Sequence, residues 1–408
     1  MGRTKRPRIL DVDAHVVEPS HAWTHSLPRG LRERLRVRTP ESPARTWEEE
    51  VEWRARLVLA CEREGLDVEE VEEAMARAEP GLQYLEVDGK PLLTDTARQV
   101  WAPLAAGAFT RYLPLIRGGF DGASYVEVMR GMGVERAFFY PTVFLFLLGV
   151  DEMEPRLAVA LMRAYNDWLH GFCAADPDFL RGVGALCRHE PAAMVREVER
   201  IAEWGWKAVT VHPQKVKGRL LSDPAFEPFW TRCEELGITV GLHGGAHIRL
   251  PDAGGAHART QFGIHATANP LQLTLALLTL LEGGVLERHP NLRVGLLEGG
   301  CGWLPFWLWR LDSAWQRDGW TVSEHVRRKP SEYFARQCFI TCEPSEPGLE
   351  QVIDAVGEGC MLYASDFPHL DHPPHIQEDA ALLVERLGSR VAGKILWDNG
   401  CRFYGVRG

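Results

Sequence analysis

The sequence predicts an α/β fold, a distorted TIM (β/α)8 barrel, because short apolar runs alternate with polar loops and helix-period segments along most of the 408 residues. This alternation is typical of parallel β/α units. Eight runs are predicted as strands, and eight parallel strands are the number that closes a barrel. They lie at Ile9–Asp13, Arg136–Tyr140, Gly182–Leu186, Ala208–His212, Thr239–His243, Arg293–Glu298, Gln337–Thr341 and Met361–Ser365. One barrel with insertions accounts for the length, so residues 1–408 are predicted to form a single domain.

Two segments are longer than ordinary connections between strands. Residues 19–133 follow the first strand, and their charged middle, Trp47 to Arg77, has apolar residues at helical spacing. This predicts a helical lid or a subunit contact. Residues 303–335 follow the sixth strand and begin with the aromatic run WLPFWLWRLDSAW. Tryptophans at this spacing more often pack than bind ligands, so we predict a helix wedged against the barrel mouth or a neighbouring subunit.

Composition argues against several classes of protein. The formal net charge is −10 and the basic residues are scattered, which argues against a nucleic-acid partner. The apolar runs are shorter than a membrane span, so we expect a cytoplasmic protein with no membrane partner. Nine cysteines without a C-x-x-C pair favour buried reduced thiols. The expected partners are a small-molecule substrate and either further copies of the chain or a related subunit.

The predicted strand ends are rich in residues that bind metal ions, and catalytic groups of a β/α barrel lie at these ends. Asp13 and His15 are two residues apart in DVDAHVVEP, residues 11–19, so both side chains point to the same side of the strand. His243, Glu298 and Asp366 occupy the same place on three other strands. Burying so many unpaired charges is costly without a cation. We therefore predict a divalent metal site at the barrel mouth.

Other polar residues leave two interpretations open. Glu18 is either a bridging carboxylate or a loop cap beside Pro19. Lys207 and His212 are candidate substrate contacts, Lys207 for a substrate carboxylate, although surface lysines and satisfied core histidines are commoner. The remaining histidines near the strand ends are more often solvent-facing or loop residues than ligands: His247, His257, His265, His372 and His375.

These motifs resemble the amidohydrolase superfamily, in the branch related to aminocarboxymuconate semialdehyde decarboxylase. The resemblance is carried by DVDAHVVEP, by GGVLERHPNLRVGLLEGG (residues 283–300) and by ASDFPH (residues 364–369). It implies that the metal ligands are Asp13, His15, His243 and Asp366, with His369 a hydrogen-bonding neighbour of the Asp366 loop. Decarboxylases and many hydrolases of this superfamily place histidine where this chain has Glu298.

A subgroup of the fold with the same D-x-H-x-x-E-P opening and a glutamate at the sixth strand includes dinuclear non-haem iron oxygenases. The chain resembles that subgroup at each of these positions, and His265 matches a histidine common there. The resemblance implies two ions, iron or iron with manganese, with zinc as the alternative. The implied ligands are Asp13, His15, Glu18, His243, His265, Glu298 and Asp366, and the candidate catalytic residues are Glu298, Asp366 and His369.

The leading hypothesis from the sequence is therefore an oxygenase that hydroxylates a small organic substrate. The alternative is a metal-dependent hydrolase or decarboxylase, in which the ion polarises a water molecule or a substrate carbonyl. A third hypothesis, a degenerate barrel that serves only as a structural partner, is disfavoured by the retained strand-end ligands.

Overall fold

The structure, a computed structural model, describes residues 7–19, 22, 26–37, 47–64, 67–77, 85–91, 113–245, 254, 256–322, 324–369 and 376–408. The candidate ligands His247, His372 and His375 lie outside these residues, as do parts of the predicted lid.

Parallel strands form two sheets that share one interrupted strand. The strands are β1 (Leu10–His15), β5 (Arg136–Tyr140), β6 (Leu180–Gly182), β7 (Gly184–Leu186), β8 (Ala208–Val211), β9 (Thr239–Leu242), β10 (Val294–Leu296), β11 (Cys338–Cys342) and β12 (Met361–Tyr363). The first sheet has the order β1-β5-β6 and the second the order β12-β11-β10-β9-β8-β7. Val183 separates β6 from β7, so the predicted third strand belongs to both sheets.

The strand order is that of a β/α barrel, and the two outermost strands, β1 and β12, meet where they end. Asp366 N donates to Asp13 O at 3.0 Å, and His15 N donates to Phe367 O at 2.7 Å. No continuous ladder joins β1 to β12 among these described strands, so full closure of the barrel stays a prediction. These bonds bring the first and the last strand of the series, β1 and β12, together at their C-terminal ends.

Helices alternate with the strands, as the sequence predicts. They span Gly122–Gly131, Val143–Leu148, Pro155–Cys173, Pro191–Glu203, Glu227–Leu236, Gln261–Glu282, Val285–Arg288, Leu304–Asp318, Pro330–Gln337, Leu349–Val356, Ile376–Gly393 and Asn399–Tyr404. Side chains satisfy the first amides of some of them: Asp121 accepts from Ser124 N at 2.8 Å, and Thr260 accepts from Gly263 N at 3.3 Å. Gly237 ends another helix at φ 64, a conformation that glycine adopts at little cost.

The final helix, Asn399–Tyr404, fills the end of the strand array away from the predicted site. Tyr404 stacks on Phe138 and donates to Val12 O at 2.5 Å. Phe403 O accepts from the side chain of Thr239, the first residue of β9. The helix is therefore a plug at the N-terminal ends of the strands, which leaves their C-terminal ends for the site.

Residues 19–133 form further elements outside the strand array. They include a small sheet of β2 (Leu35–Val37), β3 (Leu85–Val87) and β4 (Lys90–Pro91). Besides Gly122–Gly131, the helices among the described residues of this region span Arg29–Arg32, Trp47–Glu64, Val68–Arg77 and Leu113–Arg117. Arg34 ties this region to the helix layer through an ion pair with Glu154. The role of Trp47 to Arg77 as a lid stays a prediction.

The aromatic run forms a helix that packs on the core with one face. Leu304, Leu308 and Leu311 are buried, whereas Phe306 and Trp309 are exposed. Trp303 Nε1 donates at 3.0 Å to the carbonyls at residues 299 and 300, just past β10. The prediction of a helix that packs on the barrel agrees with this arrangement. The predicted contact with a neighbouring subunit stays a prediction.

One helix, Phe262–Glu282, is long and apolar enough to cross a membrane by length and composition alone. Half of it is buried in the fold, and Leu273, Leu277 and Leu280 on it are core residues. A core helix passes the same length test, so this feature is weak evidence of a membrane span. All nine cysteines are free and buried, as predicted.

Candidate metal centre

Five residues predicted from the strand ends meet at the C-terminal end of the array. Asp13 and His15 lie on β1, His243 follows β9, and Glu298 and Asp366 follow β10 and β12. Their potential ligand atoms fall into two groups in which all atoms lie within 4.8 Å of one another. One group is Asp13, His15 and His243, and the other is His15, Glu298, Asp366 and His369. His15 belongs to both groups, so the two form one connected cluster.

The tautomers of the two central imidazoles follow from their backbone contacts. His15 Nδ1 lies 2.8 Å from Pro141 O, and His243 Nδ1 lies 2.8 Å from Gly244 O. A carbonyl oxygen only accepts, so Nδ1 carries the proton in both rings. In the neutral rings, a lone pair is left on each Nε2, and both Nε2 atoms belong to the cluster. Such an arrangement is typical of metal-ligating histidines.

Those lone pairs face carboxylate oxygens at close range. His15 Nε2 is 3.5 Å from Asp13 Oδ1 and 3.0 Å from Asp366 Oδ1. His243 Nε2 is 3.4 Å from Asp13 Oδ2 and 3.1 Å from Glu298 Oε2. Electron pairs that face each other at such distances repel unless a proton or a metal cation lies between them.

Hydrogen bonding does not remove this repulsion. Both Nε2 atoms and both carboxylate oxygens of Asp13 are buried without a hydrogen-bond partner among the described residues, as is Asp366 Oδ2. Asp366 Oδ1 lies 3.0 Å from His15 Nε2 and 2.8 Å from His369 Nδ1. Orphaned buried polar groups of this kind are rare and costly. Imidazole nitrogen and carboxylate oxygen are donors for divalent transition metals, so the residues present fit a divalent metal ion.

The pKa shifts of the cluster residues also favour a cation at this position. Burial lowers the pKa of His243, but the charges of Asp13 and Glu298 outweigh burial and leave the pKa well above its ordinary value. Burial raises the pKa of Asp366, but the neighbouring rings of His369 and His15 outweigh it and leave this pKa below its ordinary value. The carboxylates thus attract positive charge to this point of the fold.

Glu298 and Asp366 share an uncommon backbone conformation. Both lie in the left-handed region, at φ 54 and φ 55. For a residue with a side chain this conformation costs about 1–3 kcal/mol and is concentrated at functional sites. The predicted sixth and eighth strands therefore end earlier than expected, at Leu296 and Tyr363, and the two carboxylates lie on the turns that follow.

The turns are held by specific hydrogen bonds. Glu298 N donates to Thr341 Oγ1 at 3.0 Å, and Asn269 Nδ2 donates to Glu298 Oε1 at 3.1 Å. Asp11 accepts from Ser365 N at 3.0 Å and from the Ser365 hydroxyl. Burial raises the pKa of Asp11 to about 7. Neither Asp11 nor Asn269 was predicted from the sequence, and the register between β1 and β5 shifts between Asp11 and Ala14, so alternation along β1 could not have placed Asp11.

The contacts of Glu18 are those of a helix cap. Its carboxylate accepts from the backbone amides of Thr142, Val143 and Phe144 at 3.0, 3.1 and 3.2 Å. Burial raises its pKa to about 7, although these three bonds oppose the shift. Glu18 lies outside both groups of ligand atoms. Its oxygens accept hydrogen bonds from the first amides of a helix, which favours the capping alternative, and the bridging-ligand role stays a prediction.

Lys207 and His212 lie at opposite ends of β8. Lys207 precedes the strand, so about 13 Å of extended backbone separates it from the site end. This position does not favour a substrate contact, and the role of Lys207 stays a prediction. His212 directly follows the strand, is fully buried and lies beside His243 in the strand order.

His212 presents a neutral donor. Gln214 N donates to its Nδ1 at 3.4 Å, which leaves the proton on Nε2. That Nε2 has no hydrogen-bond partner among the described residues. Burial, together with the charges of Arg188 and His243, lowers the pKa of His212 to about 3, so the ring is neutral at physiological pH.

A cleft of about 420 Å³ opens beside the cluster. Asp13, Glu298 and Asp366 line it, together with Asn269 and His265 from the helix Gln261–Glu282. The volume suits a small organic molecule. His265 is exposed and lies outside both ligand groups, and His257, also exposed, does not line the cleft.

Comparisons with known proteins agree with this geometry. A model of the family described as amidohydrolase (Amidohydro_2) matches residues 94–406. The chain is 25% identical over 217 residues to 2-amino-3-carboxymuconate-6-semialdehyde decarboxylase of Dictyostelium discoideum, which covers 53% of this chain and 58% of the relative. It is 27% identical over 253 residues to gamma-resorcylate decarboxylase of Rhodococcus jostii (strain RHA1), which covers 57% of this chain and 74% of the relative.

Solved structures share the fold. An amidohydrolase of Mycobacterium avium subsp. paratuberculosis K-10 superposes with a TM-score of 0.71 at 20% identity, over 98% of this chain and 100% of that chain. The 5-carboxyvanillate decarboxylase of Sphingomonas paucimobilis gives 0.59 at 23% identity, over 69% and 82%. A dihydroxybenzoic acid decarboxylase of Polaromonas sp. JS666, solved with bound manganese, gives 0.59 at 22% identity, over 69% and 85%.

Proposed function

We propose that this chain, which belongs to the amidohydrolase family and is a metal-dependent enzyme of that superfamily, is a decarboxylase. Its proposed substrate is a small aromatic or unsaturated carboxylate. The observation that carries the proposal is the pair of imidazole lone pairs, on His15 and His243, that face buried carboxylate oxygens. That arrangement calls for a cation. The curated relatives described above are decarboxylases, which favours the alternative predicted from the sequence over the leading one.

Asp13, His15, His243 and Asp366 would hold the ion. The Polaromonas relative contains manganese, and mixed imidazole and carboxylate donors suit Mn²⁺. A divalent ion at this position supplies Lewis-acid polarisation of a substrate oxygen.

The side chains around the cleft supply the remaining chemistry. Decarboxylation breaks the bond between the carboxyl carbon and its neighbouring carbon, releases CO2 and puts a proton on that neighbour. Glu298 is the candidate carrier of this proton, because its side chain is 15% exposed and lines the cleft. His212 is fully buried and is not among the residues that line the cleft, so its contact with the substrate stays a prediction.

A second candidate function is oxidative. The two ligand groups that share His15, and the three carboxylates in them, favour a dinuclear iron or iron–manganese centre that hydroxylates carbon. The two functions differ in their need for O2.

The test uses metal-depleted full-length protein reloaded with Mn²⁺ or with Fe²⁺. Each preparation is incubated with 2,6-dihydroxybenzoate, 5-carboxyvanillate and related carboxylates, with and without O2, while CO2 release and O2 uptake are recorded. We expect CO2 release with Mn²⁺ that is unchanged without O2. Metal-dependent O2 uptake that yields a hydroxylated product, with no CO2 release, would reject the decarboxylase and support the oxygenase.

A further inference from the structure

One short segment, residues 141–144, contacts two imidazoles of the cluster. Pro141 O accepts a hydrogen bond from His15 Nδ1 at 2.8 Å. Thr142 Oγ1 lies 2.8 Å from His369 Nε2. The two rings stack with their centroids 4.0 Å apart and an angle of 27° between their planes. The orientation of both rings thus depends on where this segment lies.

Glu18 holds the segment in place. Three consecutive backbone amides, of Thr142, Val143 and Phe144, donate to its carboxylate. These amides begin the helix Val143–Leu148, where the first amides have no carbonyl partner within the helix itself. A buried carboxylate that accepts three such bonds fixes the backbone from which the Thr142 side chain extends.

His369 transmits this placement to Asp366. Its Nε2 meets the Thr142 hydroxyl, and its Nδ1 lies 2.8 Å from Asp366 Oδ1 on the opposite side of the ring. A hydroxyl both donates and accepts, so Thr142 holds the ring whichever nitrogen carries the proton. Asp366 is mostly buried and lies on a left-handed turn, and its carboxylate faces the rings of both His369 and His15.

We infer that Thr142 is a positioning residue of the metal centre, which acts through His369 to orient the carboxylate of Asp366. This inference rests on the metal centre proposed above. Groups that orient metal ligands typically change metal affinity by about 10–100-fold when removed. Thr142 has no other role in the proposed chemistry, because its hydroxyl contacts a ring and not the cleft.

The test is a Mn²⁺ titration of metal-depleted full-length protein, in which the electron paramagnetic resonance signal of the free ion is recorded after each addition. Thr142→Val keeps the shape and removes the hydroxyl, and we expect the Kd for Mn²⁺ to rise about tenfold. Thr142→Ser restores the hydroxyl and should restore the Kd. Thr239→Val is the matched control, since it removes a buried hydroxyl at the opposite end of a strand and should leave the Kd unchanged.

A double-mutant cycle makes the route testable. If Thr142 acts through His369, then Thr142→Val should have no further effect on the Kd in a His369→Phe background. Equal effects in both backgrounds, or a Thr142→Val protein with the wild-type Kd, would overturn the inference. Thr142→Ala provides the same comparison should the valine variant fold poorly. Wild-type protein that binds no divalent ion would instead contradict the proposed function.

Discussion

Asp366 and Glu298 lie on the turns after two strands in the same left-handed conformation, yet they have different surroundings. The side chain of Asp366 is 5% exposed and lies within 3.0 Å of His15 Nε2 and 2.8 Å of His369 Nδ1. The side chain of Glu298 is 15% exposed, and the amide of Asn269 donates to it from a neighbouring helix. The first is surrounded by oriented rings, and the second reaches the cleft. The difference suggests that one carboxylate holds the ion while the other meets the substrate.

The largest expected effect is that of Asp366→Asn, which removes the charge and keeps the shape. We expect Mn²⁺ affinity to fall by more than about 100-fold, since loss of a ligand exceeds the usual cost of losing a group that orients one. A Mn²⁺ titration measures it, and circular dichroism checks that the variant is folded. His15→Ala should behave alike. Retention of full metal content by either variant would contradict the ligand assignment.

Glu298→Gln should separate the two carboxylates. In the proposed function, turnover falls by about 10²–10⁴-fold because a proton carrier is lost, while the Kd for Mn²⁺ changes by less than about tenfold. Glu343→Gln is the control, because Glu343 is another carboxylate that lines the cleft. If Glu298→Gln loses metal as completely as Asp366→Asn, the contrast fails and Glu298 is itself a ligand, as the dinuclear hypothesis requires.

Asn269→Leu gives the smallest effect and concerns the support of Glu298 alone. Removing one hydrogen bond to a charged group costs about 1.5–3 kcal/mol, so turnover should fall by about 10- to 150-fold. Metal affinity should stay at the wild-type value. Steady-state kinetics and the same titration measure both quantities. Unchanged turnover would mean that Asn269 does not orient Glu298 in the enzyme at work.

The positions of the strands and the five strand-end residues could be predicted from the sequence, because apolar period and chain order determine which residues end a strand. The direction of a strand also decides which of its ends faces the site. Lys207 precedes β8 and so lies at the end away from the site. Glu18 could not be decided, since alternation along a strand says where a side chain points but not which distant amides it meets. Thr142 gave no signal, because a lone threonine after a strand is common. The left-handed turns at Glu298 and Asp366 were likewise invisible to period and propensity.

The site joins segments that are far apart in the chain. Asp13 and His15 come from β1, whereas Asp366 follows β12, and Tyr404 of the final plug hydrogen-bonds to Val12 O. During synthesis, β1 leaves the ribosome long before its partner at residue 366 exists. Any product truncated before β12 therefore lacks the carboxylate of Asp366, one of the four residues proposed to hold the ion.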